Sequence, residues 1–500
     1  MHPTVKAFLE KLSYGDVAEL KYEGSQYGVV ETLARIYERA RNALEYRADH
    51  LVRRAAIERI LKRRIVFDNN PSTLTEHLLM ELKWARYVTA TEIEVVSEEK
   101  LREILTKYVD LLGNGVPSDW IIGVASAEIE ELFNLNVDFK DFTLFTFQVI
   151  KQKVKIKDEN LDLLLFVAID KVYAESDDQQ IAYHILNLAG KDWEKEELDQ
   201  TYKLINFAKS NKLLPRLTKF TRRQMPPLIL LRDVYFANPS EFKKLLTSEE
   251  SFKKTASEVL ENQLDQMSGR VSTASLRSII YVFLTKMLIA FGIEVPLELW
   301  WLGRIAKLSL AINLVFPPLI MWFTTLQIRL PKTLEREGLV DRTWYVINSF
   351  NSLENEPNSL QEETPNKLGV VYIIFSTLYL IFFVLIFGLI FYSLKKIGFG
   401  LANQIIFVFF LSIVAFFAYR ISQTAKVYSW KGIEKEKSSL WDILFLPILA
   451  AGSKLSQGLS KLNFLAFTFD FILEAPFKII LGFLDSWVSF LSMKKEEIVD

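Results

Sequence analysis

Lys286 stands near the middle of an apolar run, residues 278–298 (SIIYVFLTKMLIAFGIEVPLE), with Glu294 and Pro296 towards its end. A second run, residues 308–328 (LSLAINLVFPPLIMWFTTLQI), holds Asn313 and the tandem Pro317-Pro318. Polar groups in such surroundings are costly, and that cost constrains what they can do. An ammonium near mid-bilayer costs at least ~2.5 kcal/mol, so Lys286 is expected to face a cavity, a partner acid or a neighbouring subunit. The alternative is a shallow or tilted helix whose lysine snorkels to the headgroups. Glu294 lies eight residues further on, about two turns of α-helix, so the pair is not expected to meet directly on one helix. Glu298, or backbone carbonyls freed at Pro317-Pro318, would reach Lys286 only across helices. Tandem proline removes backbone donors and is expected to break the second run. Broken helices carrying polar groups at mid-membrane are where transport sites form. Asn313, with Asn403 and Gln404 further along, reads as glue between helices rather than pore lining.

Other chemistry is sparse. Zero Cys removes disulfides, thiolate metal sites and Cys nucleophiles, and the four His (His2, His50, His77, His184) are never paired at ligand spacing. Gly190-Lys191 lacks the upstream glycine of a phosphate-cradling loop, and neither a GxGxxG after a strand nor a GxSxG elbow is present. The sequence therefore assigns no catalytic residue, no cofactor and no metal. A carboxylate-only membrane enzyme stays open as a third reading, with no pair nominated.

Two basic clusters could meet anions. Arg53, Arg54, Arg59, Lys62, Arg63 and Arg64 crowd one helix end, where balance by nearby acids is the better reading. Lys212, Arg216, Lys219, Arg222 and Arg223 are interleaved with Leu213, Leu214, Leu217 and Phe220, and Met225-Pro226-Pro227 is expected to end that helix. Docking on anionic headgroups and an ordinary solvated face are equal readings for this second cluster. Sixty basic against sixty-one acidic residues leave a net charge of -1, and no RNA-binding signature appears, so no nucleic-acid partner is expected.

The elements that must hold these residues divide near Arg277. Before it, charges recur every few positions and caps mark helix starts at Asn70-Pro71, Ser97-Glu98-Glu99 and Asn238-Pro239-Ser240-Glu241. Residues 28–67 carry one apolar face and read as a long helix, coiled or broken near His50. Only residues 142–156 let a strand compete with a helix. After Arg277, residues 369–394 and 399–419 contain no ionisable side chain except Tyr, and each can cross a ~30 Å hydrocarbon core. Lys395-Lys396-Ile397-Gly398 joins them as a hairpin. With the earlier pair, about four spans are expected.

The fold class is thus all-α. Residues 1–270 form a cytoplasmic helical domain, 271–330 a first transmembrane pair with its second member broken, and 331–368 a charged loop. Residues 369–420 form a transmembrane hairpin, and 421–500 a linker with amphipathic or interfacial helices. Residues 440–451, broken by Pro447, look too short to span, and 452–461 small and polar. A later amphipathic face includes Trp487, placed at headgroup depth or against another helix, and Asp470 and Glu474 share a face nearby. No leader is read in residues 1–11, so both termini are expected in the cytoplasm of a multi-pass cell-membrane protein. Arg420, Lys426, Lys431, Lys435 and Lys437 agree with that topology, while Lys395 and Lys396 oppose it.

The segments STASLRSIIYVFLTKMLIAFGIEVP and LSKLNFLAFTFDFILEAPFKIIL resemble uncharacterised polytopic membrane proteins of reduced-genome bacteria. That resemblance implies a membrane location and no activity. The leading expectation is a non-enzymatic membrane-anchored scaffold or assembly protein. Its partners would be the lipid bilayer, further copies of the chain and a cytoplasmic protein. The alternative is an oligomeric channel or transporter with its pathway near Lys286 and Pro317-Pro318.

Overall fold

The computed structural model describes residues 2–12, 49–85, 87–88, 96–113, 115–133, 139–190, 193–302, 307–326, 331, 333–362, 369–424, 426–430, 440–461 and 487. Regular structure among them is helical apart from one pairing of two-residue strands. The described residues form two compact units, one from Met1–Thr247 and Tyr345–Leu360, the other from Ser248–Trp344 and Gln361–Ala466.

The first unit contains α1 (Pro3–Lys11), α2 (Asp49–Ile65), α3 (Pro71–Trp84), α4 (Glu98–Leu111), α5 (Ser118–Phe133) and α6 (Phe139–Gln152). It continues with α7 (Leu161–Tyr173), α8 (Asp178–Ala189), α9 (Lys195–Ser210), α10 (Leu213–Ala237) and the short α11 (Phe242–Leu245). Asn70 caps α3 by accepting the Ser72 N–H at 3.0 Å, and Pro71 occupies the first turn, where its missing donor costs nothing. Ile57, Leu61, Leu78, Leu82, Leu101, Leu105 and Phe133 interlock α2 to α5 in one core. The stretch where strand and helix compete resolves as helix to Gln152 followed by β1 (Val154–Lys155), which meets β2 (Leu360–Gln361). Of the long helix expected over residues 28–67, the part before Asp49 lies outside the described residues.

Two local expectations are corrected in this unit. Asn238 does not begin a helix: it closes α10, its N–H donating to the carbonyls of Val234 and Tyr235, and α11 starts only at Phe242. Pro226-Pro227 does not end α10, which runs on to Ala237. Proline at those positions deprives the carbonyls of Arg222 and Arg223 of their usual donors. Both residues are exposed, so water can serve instead, while the proline rings themselves are buried.

The second unit contains α12 (Glu249–Ile289), a π-helical turn (Ala290–Glu294), α13 (Val295–Leu302) and α14 (Lys307–Leu326). Beyond α15 (Thr333–Asn348) come α16 (Gly369–Lys396), α17 (Leu401–Thr424) and α18 (Leu440–Lys461). Three of its helices are long and apolar enough to cross a membrane, over Lys307–Thr325, Ile373–Lys396 and Leu401–Ser422. The further passage expected over residues 278–298 is divided between the end of α12, the π turn and α13. α16 and α17 form the hairpin read from the sequence, and Leu394, Phe399, Phe407, Leu411, Ala415 and Ile448 tie it to α18.

Prolines again fail to stop their helices. α14 passes through Pro317-Pro318, and α18 through Pro447 as one helix of 22 residues rather than a short apolar piece and a polar one. Packing explains α18. Gly452 lies directly against α17, where an added Cβ would overlap the Ser412 carbonyl oxygen and stand 2.8 Å from Phe416 Cβ. Gly452→Ala is expected to destabilise the protein by about 1–3 kcal/mol, the cost of overpacking a site that cannot yield. Thermal unfolding in detergent reads this, and an unchanged midpoint would show that α17 and α18 do not touch there.

Candidate functional site

The buried face of α12 runs through Ser275, Ser278, Val282, Lys286 and Ala290, steps of three and four residues. An unbroken α-helix would put Glu294 about 80° around the axis from Lys286. The chain departs from that path because Pro296 cannot donate to the carbonyl four residues back. The ladder shifts to i→i+5, with the Val295 N–H donating to the Ala290 carbonyl. A π turn holds more residues, so each one rotates less, and Glu294 comes round onto the Lys286 face. The two side chains do meet directly: Lys286 Nζ donates to Glu294 Oε1. This corrects the expectation that eight residues of spacing keep them apart.

The pair is part of a larger network. Asn313 Nδ2 of α14 donates to Glu294 Oε2 at 2.7 Å, and Lys286 Nζ lies 4.5 Å from the Phe410 ring centroid of α17. Lys286, Glu294 and Asn313 are each 0% exposed, which leaves no route for lysine snorkelling within the unit. One turn on, Glu298 Oε1 accepts from Asn403 Nδ2, which also lies 3.4 Å from Ser309 Oγ. Gln404 Nε2 closes onto the Phe399 carbonyl at 2.8 Å. Polar side chains thus cross-link α12–α13, α14 and α17 in both directions. Among the described residues of these helices, Ser275 Oγ, Asn313 Oδ1 and Ser412 Oγ are buried without a hydrogen-bond partner.

Lys286, Glu294 and Asn313 are therefore brought together as a site, and Pro317 joins their face as the buried residue one turn beyond Asn313. Pro317 removes the donor that would bond the Asn313 carbonyl, and Pro318 that of Leu314, without breaking α14. The second node, Glu298 with Asn403 and Ser309, escapes sequence reasoning as a unit because its members are separated by 94 and 105 residues. A local signal did exist: Glu294 and Glu298, and Ser309 and Asn313, each sit four apart and so share a helix face.

The remaining named residues lie elsewhere. Arg216, Lys219, Arg222 and Arg223 ride on α10 of the first unit. Trp487 is helical and half-exposed, while the amphipathic helix read around it, with Asp470 and Glu474, lies outside the described residues. The first basic cluster is internal. Arg53 meets Glu130 at 2.8 Å, Arg54 meets Glu58 at 2.8 Å, and Arg63 and Arg64 share the buried Glu81. Its cations hold helices together rather than reaching for a surface.

One further titratable node was not legible. His184 Nδ1 of α8 lies 2.7 Å from Asp170 Oδ2 of α7, and its Nε2 3.3 Å from Glu131 Oε2 of α5. Burial pulls the imidazole down, but the two carboxylates outweigh it and raise His184 to about 10. Since the folded value exceeds that of the unfolded chain, this stabilisation is complete below about pH 6.5 and is lost as pH rises towards 10. With partial exposure attenuating the effect, the loss should be on the order of 3 kcal/mol. Denaturation across pH 6 to 10 is expected to show a slope that His184→Gln removes; parallel curves would refute it. Burial also raises Glu128 and Glu130 on α5, the former bonded to the Tyr108 hydroxyl at 2.7 Å.

Three or more His, Asp or Glu positioned to hold a metal do not occur among the described residues. What the second unit offers is a set of charge-assisted hydrogen bonds joining α12–α13, α14 and α17, with the Asn313 Oδ1 acceptor left open beside them. It defines a helical protein with apolar helices fit to span a bilayer. Comparison of the chain with protein-family models, curated proteins and solved structures returned no match.

Proposed function

We propose that this protein is a non-enzymatic membrane-anchored assembly protein, oligomeric through its membrane part. The first unit, in the cytoplasm, would engage a protein partner. In this reading residues 278–298 complete a fourth passage, and both termini lie on the cytoplasmic side of the cell membrane. The observation that carries it is α16. This helix is apolar on every side, and none of its most apolar window is buried against its own chain. Ile386 and Ile390 lean on the hairpin core, while Ile381, Val384, Leu385 and Leu389 remain exposed. Lipid accounts for an apolar surface of this kind, and the same surface can pack against a further copy of the helix, because side chains and lipid tails are equally apolar. Zero Cys makes the test direct, because any introduced thiol is unique. Ile381→Cys, Val384→Cys, Leu385→Cys and Leu389→Cys are expected to form a disulfide-linked dimer from one face under mild oxidation in membranes. Native mass measurement should show more than one copy. No cross-link at any position, with a monomer that retains no partner, would overturn the reading.

A second reading is favoured by one atom. Asn313 Oδ1 is a buried acceptor without a donor beside an ion pair. A passing cation or proton would find a ligand there, which is the oligomeric channel or transporter with Lys286 on its path. Proteoliposome flux that is lost in Asn313→Leu would support it. Flux equal to that of empty liposomes across common ions would remove it.

A further inference from the structure

From Gln200 to Arg232 the sequence contains no Asp or Glu and eight Lys or Arg. Three of these are accounted for or lie apart: Lys209 pairs with Asp178, Arg232 pairs with Asp233 and stacks over Phe139 and Tyr173, and Lys203 precedes α10. The others, Lys212, Arg216, Lys219, Arg222 and Arg223, gather on one side of α10, opposite the buried Leu214, Leu217, Thr221 and Met225. Lys212, Lys219, Arg222 and Arg223 are exposed and make no ion pair among the described residues. The contrast with α2 is direct, because there Arg53, Arg54, Lys62, Arg63 and Arg64 each meet a carboxylate.

The position of the charges sharpens the point. They occupy the N-terminal half of a 25-residue helix with no acid in its first turn. The helix dipole presents partial positive charge at that end, so Lys212 at the N-cap works against the helix, and cations three and four residues apart along the stripe repel one another. Lys212, Lys219, Arg222 and Arg223 gain no carboxylate partner among the described residues, whereas an anion outside the unit would relieve these repulsions. The cations lie along a convex helix face rather than in a concavity, which suits an extended anionic surface better than a single small ligand. Leu213 and Phe220, both partly exposed, border the stripe. Apolar side chains beside cations fit the boundary between headgroups and acyl chains. The same chain carries three helices fit to cross a bilayer, so such a surface would be held close by covalent linkage.

We propose that the α10 stripe, Lys212, Lys219, Arg222 and Arg223 with Arg216 among them, docks on the anionic phospholipid headgroups of the membrane in which the chain is anchored. The inference rests on the membrane location proposed above. Each basic residue at an anionic leaflet strengthens attachment about fivefold, so the four unpaired cations together amount to about a thousandfold. Reversing two of them should weaken docking at least ~30-fold by the same scale. The attachment is also screened by salt.

The full chain is reconstituted into vesicles of phosphatidylcholine alone and of phosphatidylcholine with phosphatidylglycerol, each containing a headgroup spin-labelled lipid. Pro215→Cys, exposed beside the stripe, carries the sole fluorophore. Quenching is expected only with phosphatidylglycerol, and it should vanish at molar salt and in R222E/R223E. If that variant does not fold, R222Q/R223Q and the salt response of the unaltered stripe read the same charge dependence. Equal quenching in both lipid mixtures, or none in either, overturns the proposal. A fluorescence change produced only by added inorganic phosphate or oligonucleotide overturns it in favour of a soluble anion. Alkaline extraction separates the two readings. A chain that washes off both vesicle types defeats the membrane location and the docking together, whereas a retained chain without phosphatidylglycerol-dependent quenching defeats the docking alone.

Discussion

Lys286→Met should cost the protein about 3–5 kcal/mol, because it leaves the Glu294 carboxylate buried with only the Asn313 amide to hold it. The size of the effect follows from the setting. Both partners are 0% exposed, so no water reaches the stranded charge, and methionine fills the space without replacing the donor. Thermal or denaturant unfolding in detergent should show the loss. Lys286→Met combined with Glu294→Leu removes both charges and should recover most of it, since replacing a buried ion pair by apolar groups is often neutral. A double variant as unstable as the sum of the two singles would show that the side chains act separately. The result also bears on function: a closed pair that only welds helices can be replaced by oil, whereas one on a transport path cannot without loss of flux.

Lys153→Met is the second large expectation, at about 2–4 kcal/mol. Lys153 is 2% exposed at the end of α6, and its ammonium bonds Gln224 Oε1 at 2.7 Å and Glu356 Oε2 at 2.7 Å. Three sequence-distant segments therefore converge on one cation, beside the bond from the Leu360 N–H to the Lys153 carbonyl at 2.8 Å. Its removal withdraws a donor from a carboxylate and from an amide at once. The cost is somewhat below that at Lys286 because Glu356 keeps 14% exposure and can be partly rehydrated. Loss of stability with earlier proteolysis within residues 345–360 is the expected pattern. A variant that melts like the parent would mean that the Lys153 contacts are not held in solution.

How much of this could be read in advance differs by kind of feature. The α16–α17 hairpin was plain from two charge-free runs, since hydrocarbon selects composition along a continuous stretch. The Asn70 cap was equally plain, because cap and helix are neighbours in sequence. Proline was misjudged three times, at 226–227, 317–318 and 447. A lone proline rule assumes that a lost hydrogen bond ends a helix, but side-chain packing on both sides of the ring can carry the helix across. At Pro296 the opposite happened: the helix survived by changing its pitch, and the change brought Lys286 to Glu294.

The two basic clusters show the same division. Their compositions are alike on paper, yet one is stitched to Glu58, Glu81 and Glu130 while the other faces outward. Which acid lies opposite a given base depends on helix docking, and nothing within a few residues of Arg53 announces Glu130. By itself, then, the sequence determined that this chain is helical and that its later part holds apolar runs of bilayer length. Both follow from side chains weighed one stretch at a time. Only the tertiary structure decided that Lys286, Glu294 and Asn313 form one site and that Lys212, Lys219, Arg222 and Arg223 stay exposed on α10. The physical reason is that the energy of a charge is set by what is packed against it, and those neighbours are chosen by the fold rather than by the local sequence.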